Sequence, residues 1–256
     1  MSRLIIWGAG ELGSRVAAFW LRSPVIGLTR SQNHHQKLRA LGVEPRVGSA
    51  APLLQPEDLL LIALPGDQTK QEAMTSLVSL TPPRRAILVS TTGYYGTAPG
   101  IVNETTPAGT SARARRIAGL EDAFLGWAGA RGVVVRLGGL YCRGRGPMVA
   151  LARRGRAKEK APNKALPLIH YEDAAEAIRT ALAREETETV YLAVTPPCPT
   201  RLAFYEAACE RLNLPLPSFS NPLPQGAATY DVSLLRRDLL PVAAHPDWRA
   251  VLDTVV

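Results

Sequence analysis

Cysteine is scarce in this chain of 256 residues, and long apolar runs are absent. The three cysteines are an odd number without close pairing, which predicts a reducing compartment and no disulfide framework. No stretch approaches the ~20 consecutive apolar residues that a membrane-spanning helix needs. The N-terminal apolar run is also too short for a signal peptide. We therefore expect a cytoplasmic protein that has no membrane partner.

Aromatic side chains are also few, at 6% of the chain, although the net charge is +8. Much of the positive excess lies in two clusters, Arg113–Arg116 and Arg153–Lys160. A protein that binds single-stranded nucleic acid interleaves such cations with aromatic rings that stack on bases, and neither cluster has these rings. We therefore expect no nucleic-acid partner. An anionic cofactor and substrate explain the charge, as would a solvated surface.

Two common catalytic motifs are missing as well. The sequence contains no P-loop and no G-x-S-x-G elbow for an acyl-transfer serine. The neighbouring histidines His34 and His35 have no cysteine or acid at metal-binding spacing, so we predict no metal site and expect both at the surface. We expect structural roles for His170 and Cys142.

Glycine, in contrast, is concentrated near the N-terminus. The apolar run 4–7 predicts a buried strand, and Gly8, Gly10 and Gly13 follow it with the spacing G-x-G-x-x-G. In a strand–turn–helix unit the first glycine makes a tight turn and the second lets the backbone approach a pyrophosphate. The third lets the helix and strand pack closely. The alternative is a glycine turn kept for packing alone.

A helix is predicted directly after this turn, and its N-terminus offers free N–H groups to a phosphate. Its apolar face would carry Leu12, Val16, Phe19 and Trp20. Pro24 ends the helix before a second strand at 25–28. We expect the pyrophosphate of a dinucleotide to be cradled by five residues of this unit: Gly8, Gly10, Glu11, Leu12 and Gly13.

The end of the second strand predicts which dinucleotide binds. An enzyme that prefers NAD places Asp or Glu about 20 residues past the first glycine, where the carboxylate bonds the ribose 2′-hydroxyl. The sequence there has Thr29 and Arg30 and no acid. A guanidinium matches the oxygens of a 2′-phosphate. We therefore predict that Thr29 and Arg30 bind the cofactor and that NADP is favoured over NAD, unless Arg30 is a solvated surface residue.

Buried strands and helices alternate through the rest of the first half. Apolar runs at 58–64 and 86–90 predict buried strands, with a helix between them at about 68–80. Pro45 places a weaker third strand, at 43–47, on an edge of the sheet. This order is typical of an α/β fold in which a doubly wound parallel sheet has helices on both faces. Thr91 follows a strand at the end of the sheet where ligands bind in such folds.

Strands and helices continue in the second half. Residues 97–110 are predicted as a loop, 111–128 as a helix, and 132–137 and 190–194 as strands. Thr200 is predicted to cap a late helix.

Five segments together resemble the extended short-chain dehydrogenases/reductases, in their NAD(P)-dependent epimerase/dehydratase branch. They occur in the family's order and cover almost the whole chain. The segments are GAGELG at 8–13, STTGYYG at 90–96, RLGGLYCRGRGP at 136–147, LIHYEDAAEAI at 168–178 and TRLAFYEAACERLNLP at 200–215. The compact glycine motif is similar to that of the atypical group, which contains many sugar-nucleotide-epimerase-like bacterial proteins.

The resemblance implies a single NAD(P)-binding Rossmann domain over 1–256. A small C-terminal substrate lobe would be drawn mainly from 146–170 and 196–256. Thr91 would occupy the family's catalytic Ser/Thr position, also within reach of the cofactor, and Leu64 and Pro65 would line the cofactor. The family's commonest substrates are nucleotide sugars, and its members often form homodimers.

One family feature is missing, the tyrosine that is followed four residues later by a lysine. None of the seven tyrosines has a lysine there, and the two corresponding places hold Arg113 and Ile117. Hydride transfer to a carbonyl needs a proton donor, and Tyr95 and Tyr141 are the candidates at strand ends. Otherwise the chemistry needs no such tyrosine, or the protein binds a dinucleotide without turnover, as a sensor or regulatory subunit.

The sequence therefore predicts an NADP-dependent oxidoreductase or epimerase-like enzyme. It would act on an alcohol or carbonyl carbon of a small, anionic substrate, for which a nucleotide sugar is the first choice. Thr91 would orient the substrate oxygen.

Overall fold

A computed structural model describes residues 2–155, 161–219, 221–223 and 226–255. The basic cluster Arg153–Lys160 lies mostly outside these ranges. The strands are β1 (Leu4–Trp7), β2 (Val25–Thr29), β3 (Val43–Val47), β4 (Leu59–Ile62), β5 (Arg85–Thr91), β6 (Ile101–Val102), β7 (Gly132–Leu137), β8 (Gly139–Tyr141), β9 (Leu168–His170), β10 (Val190–Ala193) and β11 (Thr229–Tyr230). The α-helices are α1 (Glu11–Ala18), α2 (His35–Ala40), α3 (Asp67–Leu77), α4 (Ala112–Ala128), α5 (Pro147–Arg154), α6 (Tyr171–Ala183), α7 (Arg201–Leu212) and α8 (Ser233–Asp238).

Seven strands form one parallel sheet in the order β10-β7-β5-β4-β1-β2-β3. The chain winds outward from β1 to β3, then returns to the centre and winds the other way from β4 to β10. The winding therefore reverses between β1 and β4, and the crevice at their carboxyl ends is where such sheets bind ligands. The α/β Rossmann-type fold is confirmed. The edge position of β3 is confirmed too, and suits Pro45 because proline cannot donate a ladder hydrogen bond.

The sheet is buried on both faces, as the apolar runs of its strands predict. Leu4 and Ile6 of β1 belong to one core with α1 and α6. Ile5 and Trp7 point the opposite way, into a second core with α3 and α4. Helices on both faces thus fix the end of β1 and hold the glycine turn that follows it.

A third, smaller core lies apart from the sheet. It joins Tyr141 to Met148 of α5, Phe204 of α7 and Trp248 near the C-terminus. This core draws on the segments expected to form the substrate lobe, and that role stays a prediction. Thr200 caps α7 as predicted, since its side-chain oxygen accepts a hydrogen bond from the N–H of Ala203 at 3.2 Å.

Two local predictions were wrong, and one helix was missed. Phe19 lies beyond the end of α1 and is 61% exposed, because the helix ends at Ala18 and helical spacing no longer directs its side chain to the core. Trp20 still packs in the core with α1. The predicted loop 97–110 contains the short strand β6, which pairs with β11 more than a hundred residues away. Helix α5 was not predicted at all, although Pro147 at its start is a typical first-turn residue.

Among the residues that the structure describes, no helix is both long and apolar enough to cross a membrane. All three cysteines, Cys142, Cys198 and Cys209, are free thiols.

Candidate functional site

The glycine turn joins β1 to α1 at the crevice. The N–H groups of Gly8 and Ala9 both donate to the carbonyl oxygen of Leu28, at 3.1 and 2.9 Å, which ties the turn to β2. Gly8 has a φ of +101°, and a Cβ there would lie 2.6 Å from the carbonyl oxygen of Ala63. A Cβ on Gly13 would lie 2.6 Å from the carbonyl oxygen of Gly8. Packing alone therefore requires glycine at positions 8 and 13.

Gly10 differs from its two neighbours in the motif. Its φ is −81°, which any residue adopts, and a Cβ built there would meet no atom within 4 Å. Apart from the mild preference for glycine at a helix N-cap, nothing in the fold requires glycine at this position. The residue instead leaves open space in front of the N-terminus of α1, where free N–H groups favour a phosphate.

A cavity of about 270 Å³ opens beside this turn. Six of the predicted cofactor residues line it: Gly8, Gly10, Thr29, Arg30, Leu64 and Pro65. Ser31, His34 and Gly48 also line it, and sequence reasoning did not include them. Glu11, Leu12, Gly13 and Thr91 do not line this cavity. Their cofactor roles stay predictions.

The end of β2 shapes the rim of the cavity. The hydroxyl of Thr29 donates to the carbonyl oxygen of Ser31 at 2.8 Å and lies 2.8 Å from Nε2 of His35. The expectation that His35 lies at the surface was wrong, since its ring is buried against this strand end. Arg30 and His34 are exposed, with their side chains at the cavity.

The side chain of Glu11 is held by two arginines. Its carboxylate lies 3.0 Å from Arg15 and 3.2 Å from Arg145. These ion pairs offset a negative charge that would otherwise oppose a phosphate at the start of α1.

Thr91 ends β5 and caps the 3₁₀ turn Thr92–Tyr95. Its Oγ1 accepts a hydrogen bond from the N–H of Gly93 at 3.2 Å. A Cβ on Gly93 would lie 3.1 Å from Cδ1 of Ile117 and 3.6 Å from the guanidinium carbon of Arg113. Arg113 and Ile117 occupy the positions of the family's tyrosine and lysine. Both therefore lie beside the turn that follows Thr91.

Comparison with known proteins assigns the chain to a family. No family model matches it. It is 30% identical over 253 residues to protein YeeZ of Escherichia coli K12, covering 88% of this chain and 89% of YeeZ. MoeE5, solved with UDP-glucose and NAD, is 20% identical with a TM-score of 0.73, covering 99% of this chain and 97% of MoeE5. Human epimerase family protein SDR39U1, solved with NADPH, is 18% identical with a TM-score of 0.70. The match covers 100% of this chain and 99% of SDR39U1.

The chain belongs to the same family as protein YeeZ. It shares its fold with MoeE5 and SDR39U1.

In this family member, Tyr95 is part of a buried polar network. Its hydroxyl accepts a hydrogen bond from Nη1 of Arg136 at 3.1 Å, and Arg136 is paired with Glu121 at 2.7 Å. The guanidinium also lies over the ring of Tyr94, 3.4 Å from its centroid. Burial raises the pKa of Tyr95 to about 12. A phenol in this environment stays protonated at neutral pH, which is the opposite of a tyrosine activated by a neighbouring ammonium group.

Tyr141 is fully buried in the third core. Its hydroxyl is the one buried side-chain oxygen or nitrogen without a hydrogen-bond partner in the part of the chain that the structure describes. Its ring meets the ring of His170 edge-on, with centroids 5.1 Å apart. Burial raises the pKa of Tyr141 to about 12. Neither Tyr95 nor Tyr141 lines the cavity at the glycine turn, and their catalytic roles stay predictions.

His170 caps the N-terminus of α6. Its Nδ1 accepts a hydrogen bond from the N–H of Glu172 at 3.3 Å. The centroids of the His170 and His245 rings lie 3.5 Å apart. One ligand atom from each of these three residues lies within 4.8 Å of the others, a grouping that could hold a metal ion. Glu172, however, already contacts both His245 and the guanidinium of Arg15. Positive charge at this helix end opposes a cation, and we assign no metal here.

Proposed function

We propose that this protein is an NADP-dependent oxidoreductase or epimerase-like enzyme of small anionic substrates, with nucleotide sugars the first class to test. The open space at Gly10 is the observation that carries the proposal. Gly8 and Gly13 are explained by packing, whereas glycine at position 10 is explained by a ligand that approaches the backbone. A phosphate of the dinucleotide fits that space because it would accept hydrogen bonds from the first N–H groups of α1.

The lining of the cavity supports NADP over NAD. Arg30 and His34 both reach it, and none of the residues that line it is an aspartate or glutamate. A ribose 2′-hydroxyl would find no carboxylate there, whereas a 2′-phosphate would find a guanidinium. The human relative SDR39U1 was solved with NADPH, although MoeE5 was solved with NAD.

The surroundings of Thr91 support a substrate site beyond the cavity. A bound nicotinamide supplies a carbon that gives or takes a hydride, so the protein must place an alcohol or carbonyl beside it. Thr91 offers a hydroxyl that would orient the substrate oxygen. Arg113, two residues into α4, adds a positive charge that favours an anionic substrate.

The neighbours of known activity favour an enzyme over a dinucleotide sensor. MoeE5 was solved with UDP-glucose, and other solved structures of this fold are a UDP-glucuronic acid 4-epimerase of Bacillus cereus and a dTDP-glucose 4,6-dehydratase of Bacillus anthracis. We therefore propose a nucleotide sugar as the substrate class.

Calorimetric titration with NADPH and NADH tests the cofactor. We expect NADPH to bind more tightly, and Arg30→Asp to reverse or abolish that preference. Arg39→Asp, an exposed charge change on α2, is the matched control and should leave the preference intact. Binding of neither dinucleotide would refute the proposal. An unchanged preference in Arg30→Asp would refute the role of Arg30 alone.

A further inference from the structure

A second cavity, of about 410 Å³, lies at the opposite end of the central sheet from the glycine turn. It borders the amino ends of β1, β4 and β5 and the residues just after α6. Its lining carries four arginines and one carboxylate, namely Arg22, Arg84, Arg85, Arg184 and Glu185. The cavity is therefore strongly positive.

Arg85, the first residue of β5, is the buried member of this group, with 8% of its surface exposed. Its Nη1 donates to Oγ1 of Thr187 at 2.5 Å. Its Nη2 donates to the carbonyl oxygens of Arg184 and Glu185, at 3.1 and 2.7 Å. A guanidinium has five N–H groups, so two have no hydrogen-bond acceptor within the described parts of the chain. No carboxylate there pairs with it.

An unpaired buried guanidinium is unusual because the group cannot lose its proton to escape the cost of burial. Glu185, the one carboxylate of the lining, forms no ion pair with Arg85. Asp238 and Glu188 both pair with Arg237 instead. Burial and the charge of Arg84 lower the pKa of Arg85, where a carboxylate partner would raise it. Within the described residues, the Arg85 guanidinium therefore lacks a negatively charged partner.

We propose that this cavity binds a phosphate-bearing small molecule, with Arg85 as the buried anchor and Arg22, Arg84 and Arg184 around it. Phosphate suits several guanidiniums better than a single carboxylate does, because it has more acceptor oxygens and up to two negative charges. Arg184 is already fixed by hydrogen bonds to the carbonyl oxygens of Glu186 and Asp238. Its charge remains available to an anion.

The rest of the lining indicates where the organic part of such a molecule would lie. Trp20, Leu59 and Leu182 form an apolar wall of the same cavity. The site is also separate from the proposed cofactor site, which lies at the carboxyl ends of the strands. The proposal therefore stands or falls independently of NADP binding.

Titration calorimetry with inorganic phosphate tests the site on the full chain. We expect phosphate to bind the unmodified protein, and Arg84→Ala to weaken binding about tenfold, the effect of one charge-assisted hydrogen bond. Arg84 is exposed, so this variant should fold normally. Arg85→Met should abolish binding.

Two control variants separate this cavity from other positive surfaces. Arg116→Ala removes an exposed arginine of α4, and Arg30→Ala removes the guanidinium of the cofactor cavity. Both should bind phosphate at the second cavity as the unmodified protein does. Phosphate binding that is lost in Arg30→Ala but kept in Arg84→Ala would overturn the proposal, as would no binding at millimolar phosphate. If Arg85→Met fails to fold, the phosphate affinity of Arg84→Ala still tests the proposal.

A second titration, with phenyl phosphate, distinguishes two sources of the phosphate. Tighter binding than inorganic phosphate would assign the apolar wall to the organic part of a phosphate monoester. Equal binding would assign the site to the free ion.

Discussion

The guanidinium of Arg136 lies 2.7 Å from the carboxylate of Glu121, and both side chains are at least 95% buried. Ser90 donates a hydrogen bond to the same carboxylate, and Tyr95 accepts one from the same guanidinium. The ion pair thus joins β5, β7 and α4 directly behind Thr91. It supports the turn on which the proposed substrate site depends.

Arg136→Met should destabilise the fold by about 3–5 kcal/mol, because it leaves the Glu121 carboxylate buried without a partner. Urea unfolding measures the loss. Replacing both partners, as Glu121→Leu with Arg136→Met, should recover most of it. The exposed pair Glu44–Arg46 is the control, and Glu44→Ala should cost about 0–1 kcal/mol. A cost below about 1 kcal/mol for Arg136→Met would contradict this account.

The glycine turn offers a matched pair of variants. Gly8→Ala places a Cβ 2.6 Å from a backbone oxygen at a φ of +101°, so we expect a marked loss of stability. Gly10→Ala meets no atom, so we expect only the small loss, about 1 kcal/mol or less, of replacing glycine by alanine at the N-cap of α1. It should nevertheless bind NADPH more weakly, because the added methyl group blocks the approach of the pyrophosphate. Full NADPH affinity in a stable Gly10→Ala variant would refute the ligand explanation of this glycine.

The His170 ring predicts how stability depends on pH. Burial lowers the pKa of His170 below its ordinary value of 6.5, and the charge of His245 adds to the effect. Between that lowered pKa and 6.5 the unfolded chain binds more protons than the folded one, so stability falls as the pH drops through this window. Glu172, whose pKa is lowered first by its hydrogen bond to His245, adds a further loss only below about 4.5.

His170→Asn should flatten this dependence. Asparagine keeps a side-chain acceptor for the N–H of Glu172, so the cap of α6 survives while the titrating group is removed. Melting temperatures between pH 7.5 and 5.5 would be compared for the two proteins. An equally steep fall in both would show that another group is responsible.

The sequence predicts what is local in this molecule. The strands of the sheet are correct to within one or two residues because each apolar run is bounded by glycine, proline or polar residues. Gly8, Gly10 and Arg30 could be placed at one site because they follow neighbouring strands. His34 could have been added on the same ground, since it lies four residues after Arg30.

Contacts between distant segments could not be predicted. His245 approaches Glu172 across 73 residues of sequence. The pairing of Arg136 with Glu121 depends on how α4 packs against β7. The arginines of the second cavity come from separate segments, at Arg22, Arg84, Arg85 and Arg184, and only the parallel sheet and α6 bring them together. No spacing rule links positions that tertiary packing alone makes neighbours.

The two candidate proton donors should respond differently to removal of their hydroxyls. Tyr95→Phe deletes a hydrogen bond to a charged group and should cost about 1.5–3 kcal/mol of stability. Tyr141→Phe deletes a hydroxyl that has no partner within the described residues, so its stability should be unchanged or slightly higher. Thermal unfolding separates these outcomes.

Turnover then identifies the donor. NADPH oxidation would be followed with a panel of carbonyl substrates that includes nucleotide sugars. If Tyr141 supplies the proton, Tyr141→Phe should lower kcat by about 100-fold or more while leaving KM and the melting temperature nearly unchanged. A loss of kcat without a change in melting temperature is informative, because removing a hydroxyl with a purely structural role would lower stability before it lowered kcat. Unchanged kcat in Tyr141→Phe would exclude Tyr141 and leave Tyr95 as the remaining tyrosine candidate.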